Sequence, residues 1–67
     1  MPSRAERRTQ AQSRVDSGHV SIERQRHLIA EMNAQGRDAA ALVDVLKNLE
    51  DVQAILEEEL AKLTGTG

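Results

Sequence analysis

The segment Gln35-Gly36-Arg37-Asp38 constrains this chain more than any other, because it separates two stretches whose apolar residues recur with helical spacing. A glycine just past one helical pattern, followed two residues later by an aspartate suited to N-cap the next, joins two helices by a tight reversal. The expected fold is all-α: a two-helix antiparallel hairpin turning near residues 35–38, with Gly36 making the reversal and Asp38 starting the second helix. A lone hairpin has one internal seam. How it covers its remaining apolar surface then becomes the main question about its function.

On the first arm, Val15, Gly18, Ile22, Gln25, Ile29 and Met32 follow one another at intervals of three or four, the spacing of a coiled seam, and Leu28 widens that face on one flank. Gly18 weakens a helix interior by about 1 kcal/mol relative to alanine. At a seam position it allows another helix to approach closely. The second arm repeats the spacing through Leu42, Leu46, Leu49, Gln53, Leu56, Leu60 and Leu63, with Val45 and Val52 broadening it and Val43 and Ile55 further round. That face is wider than one partner helix covers, so dimerisation into a four-helix bundle is expected. Folding the arms about residue 37 is expected to set Met32 by Leu42, Ile29 by Val45 and Leu46, Gln25 by Leu49, Ile22 by Gln53 and Gly18 by Leu56. Gln25 and Gln53 would then lie on adjacent layers, a polar device that fixes register.

Size makes assembly the more pressing expectation. A 67-residue chain leaves roughly 40% of its unfolded surface exposed, and this one contains no cysteine, phenylalanine, tryptophan or tyrosine. Disulfides and thiolate metal sites are thereby excluded, and a reducing compartment, the cytoplasm, is the expected setting. No stretch approaches the roughly 18 consecutive apolar residues of a membrane span, and no apolar signal-peptide core follows Met1-Pro2-Ser3-Arg4, so no membrane partner is expected. The net charge of −2 conceals a split: residues 1–37 carry seven arginines against four acids, and residues 38–67 two lysines against seven acids. Opposite charge on the two arms favours pairing them antiparallel.

Ser3-Arg4-Ala5-Glu6 has the form of a capping box, yet the dozen residues that follow offer no apolar stripe. Residues 1–12 are therefore expected to be a flexible basic arm, residues 13–64 the helical hairpin and residues 65–67 a frayed tail. Arg4, Arg7, Arg8 and Arg14 of the arm could track phosphates, which makes a nucleic-acid-associated protein the alternative reading. Against it, the arm is short, contains Glu6, and has no aromatic residue for base stacking. His19, Glu23, His27 and Glu31 form an i,i+4 ladder that could chelate a divalent metal, the second alternative. Such pairs are more commonly ordinary solvated contacts, and the second arm offers no obvious further ligand, so neither metal nor cofactor is expected. Nor is catalysis: there is no phosphate-binding glycine loop and no cysteine nucleophile.

Val15-Asp16-Ser17-Gly18, Ile22-Glu23-Arg24-Gln25-Arg26-His27-Leu28-Ile29, Gly36-Arg37-Asp38 and Leu49-Glu50 together resemble small proteobacterial, rhizobial-type helical-hairpin proteins. Their pattern, HVxxGxxxIxRQRxLIxxLxxxGxD with a leucine-rich second helix, corresponds to residues 14–50. Arg14 stands where that pattern has histidine, and Asp38-Ala39 where it has Asp-Thr. The resemblance implies the hairpin and the place of its turn, and no activity. The expected function is that of a non-enzymatic, self-associating interaction or regulatory module. Its expected partner is a second copy, with another helical protein as the alternative.

Overall fold

The computed structural model describes residues 1–65 as two α-helices, α1 (Arg4–Ala34) and α2 (Ala40–Thr64), packed antiparallel into a rod of 49 × 18 × 15 Å. The hairpin is the expected one. Thr66 and Gly67, most of the expected tail, lie outside the described residues. Gly65 ends α2, its N–H donating to Ala61 O at 2.8 Å.

The turn is built by Gly36, whose φ of 70° lies in the left-handed region that side chains disfavour. That geometry lets Gly36 N–H donate to Asn33 O at 3.0 Å and Arg37 N–H to Met32 O at 2.9 Å. These two bonds are the Schellman pattern and satisfy carbonyls that a helix end otherwise leaves unpaired. Asp38 caps α2 from one position further out than expected. The N-cap is Ala39, and Asp38 Oδ1 accepts from Ala40 N–H at 2.9 Å. Ala39 is buried, so the small residue takes the position that must tuck beneath α1 while the carboxylate stays in water.

Residues 4–12 depart from the expected flexible arm, because they form the opening turns of α1. Ser3 caps them, its hydroxyl accepting from Glu6 N–H at 3.1 Å. The anchor is Ala11, which is buried against the far end of α2. It lies four residues before Val15 and so extends the seam by another step. Beyond it, Arg4 Nε donates to Leu63 O at 3.4 Å. A stripe of large apolar residues is thus unnecessary where a methyl group sits at the seam and the helices lie close.

The seam runs through Ala11, Val15, Gly18, Ile22, Gln25, Ile29 and Met32 of α1 and through Ala39, Leu42, Leu46, Leu49, Gln53, Leu56, Leu60 and Leu63 of α2. Ala11, Val15, Ile22, Ala39 and Gln53 are buried. The remaining seam residues are half-buried, including Leu42, Leu46, Leu49, Leu56 and Leu60. Among the described residues no large side chain is fully buried.

The glutamines, expected on adjacent layers, each bond to the main chain of the opposite helix. Gln53 Nε2 donates across the seam to Val15 O at 2.9 Å, and Gln25 Nε2 donates to Leu42 O at 3.0 Å. Each amide is long enough to pass its own layer and reach a main-chain carbonyl of the opposite helix. Gln53 therefore lies against Gly18, where Leu56 was expected. A Cβ at Gly18 would stand 2.7 Å from Gln53 Cδ and would overlap Oε1. The missing side chain is the socket for the amide.

Candidate interaction surface

In an antiparallel pair, residues that follow seam positions on both helices share one edge, and residues that precede them share the other. The two edges of this hairpin differ in chemistry. His19, Arg26, Glu50 and Glu57 each follow a seam residue by one. They pair across the groove, with His19 Nε2 to Glu57 Oε1 at 3.3 Å and Arg26 Nη2 to Glu50 Oε2 at 3.1 Å. Arg26 also holds Glu23 through Nη1 at 3.2 Å. All of these groups are exposed, so each pair contributes about 0–1 kcal/mol. Their larger consequence is orientation: they seat the basic first arm beside the acidic second one.

The opposite edge carries Leu28, Val45 and Val52, each one residue before a seam position, with Ile55 adjoining them on the outer side of α2. Their relative exposures are 41% for Leu28, 45% for Val45, 52% for Val52 and 58% for Ile55. Scattered apolar residues are normal on any surface, but these share one edge and continue into the half-buried leucines of the seam. Val20, also exposed, lies apart from them on the outer face of α1.

The His and Glu ladder is divided among several partners. His19 turns to Glu57 on α2, Glu23 to Arg26, and His27 Nε2 to Glu31 Oε1 at 3.0 Å. Among the described residues no group of three or more His, Cys, Asp or Glu side chains comes together to hold a metal ion. The four arginines of the first turns are likewise split. Arg7 and Arg14 line a shallow groove with Ala11, Glu59, Lys62 and Leu63, whereas Arg4 and Arg8 lie with Ala5 and Leu63 at the open end. Glu59 stands among the basic side chains of the first groove.

Sequence reasoning missed Ala11 and Ala39 as seam residues and the two cross-helix pairs, Arg26 with Glu50 and His19 with Glu57, the second an ion pair only when His19 is protonated. The signals were present: alanines that continue the alternation of three and four, and opposite charges one residue after seam positions on both arms. No helix among the described residues is long and apolar enough to cross a membrane. Compared with family models, curated proteins and solved structures, the chain matches none.

Proposed function

We propose that this chain is a non-enzymatic, cytoplasmic interaction module that works as a self-associated helical hairpin, two copies making a four-helix bundle. The observation that carries this reading is the open seam: the leucines that should form a core are half-buried, and none of the described large side chains is fully buried. A half-buried leucine forfeits part of the roughly 1.5–3 kcal/mol that full burial contributes. Below about 70–80 residues a single core rarely supplies more than roughly 3–5 kcal/mol even when it is complete. A second copy supplies the missing cover without a new sequence element.

The polar groups support recognition rather than chemistry. The histidines and several of the carboxylates that acid–base catalysis would draw on are engaged in exposed pairs, and the grooves are shallow and open to solvent. The test is solution mass by light scattering over a concentration series, with refractive-index detection because the chain has no aromatic residue. Twice the 7.4 kDa chain mass, with strong helical circular dichroism, is the expected result. A monomer at all concentrations would overturn self-association.

A further inference from the structure

Resting on that self-association, the structure assigns the docking face: we propose that a second copy seats on the edge bearing Leu28, Val45, Val52 and Ile55. The two α2 helices run antiparallel there, with Val45 of each copy against Ile55 of the other.

A compact monomer of 7.4 kDa exposes about 4,200 Å² by the usual scaling of surface with mass, whereas this rod exposes 5020 Å². The surplus, roughly 800 Å², is about what each partner contributes to a standard stable interface. The rod is therefore open by about one interface.

Charge selects the face. Between residues 41 and 58, the charged residues of α2 are Asp44, Lys47, Glu50, Asp51, Glu57 and Glu58, and they lie on its outer face or toward the ion-paired edge. On α2, the apolar edge over the same span is formed by Ala41, Val45, Asn48, Val52 and Ile55, with no charge among them; the charges of that side, Arg24 and Glu31, are on α1. An isologous contact brings the same patch of both copies together. Through the ion-paired edge, that would bury Glu50 and Glu57, together with the Arg26 and His19 that pair with them, against the same charged groups of the other copy. Through the apolar edge, it sets valine and isoleucine together.

Charge also selects the direction. The next residues along this edge are Glu59 and Lys62. A parallel arrangement would bring each beside its own counterpart, like charge against like. An antiparallel arrangement centred near residue 50 moves Glu59 to the level of Ala41 and Lys62 to the level of Asp38 on the other copy. It also opposes the two helix dipoles. Val45 and Ile55 are equidistant from that centre, as a two-fold contact requires.

The test combines mass with cross-linking. Val52→Glu/Ile55→Glu is expected to yield the monomer mass at concentrations where the unaltered chain is dimeric, whereas Ala54→Lys, on the ion-paired edge, should remain dimeric. Because the chain has no native thiol, Val45→Cys mixed with Ile55→Cys should oxidise mainly to the 45–55 disulfide, which intact mass separates from both homodimers. A monomeric unaltered chain would overturn self-association and this face together. A dimer that survives Val52→Glu/Ile55→Glu would overturn the face alone. Predominance of 45–45 and 55–55 products would overturn the antiparallel direction. Should the glutamate variant unfold, the cross-link partition decides, since it is read on chains that retain both ion pairs and the seam.

Discussion

At Gly18, two effects of opposite sign meet. In an ordinary helix interior, replacing glycine by alanine stabilises by about 0.5–1 kcal/mol through backbone entropy. Here the added methyl would occupy the space of the Gln53 amide, so Gln53 must withdraw and lose its bond to Val15 O. A broken, buried hydrogen bond costs about 1–3 kcal/mol, which exceeds the propensity gain. Gly18→Ala is therefore expected to lower stability by about 1–2 kcal/mol in urea melts followed by circular dichroism. In a Gln53→Ala background, where the socket is vacant, the same substitution should raise stability by about 0.5–1 kcal/mol. A sign that does not reverse between the two backgrounds would show that Gly18 is not the socket for Gln53. The same amide shows why a polar seam residue is costly: Gln53 Oε1 is buried with no hydrogen-bond partner among the described residues. Replacing a half-satisfied polar side chain by an apolar one of similar shape is often nearly neutral. The amide fits a role in register, since moving α2 along α1 by one turn would take it away from both Gly18 and Val15 O.

At the scale of the element, α1 is held along its length by unequal means. From Val15 to Met32 mainly aliphatic side chains face α2, whereas from Arg4 to Arg14 the contact rests on Ala11 and on Arg4 reaching Leu63 O. The opening turns therefore form a less stable unit than the middle of the helix, and local opening follows such differences. Ala11→Asp should place a carboxylate in that buried contact and release the turns before it. Amide exchange across residues 4–14 is expected to accelerate by about 10–100-fold, equivalent to about 1–3 kcal/mol, while protection across residues 22–32 is retained. Uniform loss of protection along α1 would mean that the two parts unfold together. The turn and the seam from Val15 to Leu63 were legible in sequence because large apolar residues recur there at three and four, and because glycine and aspartate punctuate the interval. The first turns were not legible in the same way. A single methyl group carries too little hydrophobic signal to announce a contact, and burial of an alanine depends on how closely the opposite helix approaches. Ala39 escaped notice for the same reason, since Asp38 is the better capping residue and only the close packing at the turn favours alanine at the N-cap. The glutamine contacts were illegible because a layer count places Cβ atoms, and an amide three bonds further out reaches the neighbouring layer's backbone.

For the whole molecule, the proposed self-association would make stability and assembly one quantity. A hairpin stabilised by its own packing melts at a temperature independent of concentration, whereas one whose leucines are covered by a second copy gains stability by mass action. The magnitude follows from size. Unfolding enthalpy is about 0.7 kcal/mol per residue near 60 °C, so two chains of 67 residues unfolding together absorb roughly 90 kcal/mol. A transition from folded dimer to two unfolded chains with that enthalpy shifts Tm upward by about 5 °C for each tenfold rise in concentration. Thermal melts across a hundredfold range should therefore spread over about 10 °C. The ion pairs along the other edge predict something different, because exposed charge pairs are screened within about 10 Å at 0.1 M salt. If they carried the assembly, raising the salt would collapse the spread; if the apolar edge carries it, the spread should persist at 1 M sodium chloride with Tm unchanged or slightly higher. A Tm independent of concentration, at either salt, would return the full stability of the molecule to its single internal seam.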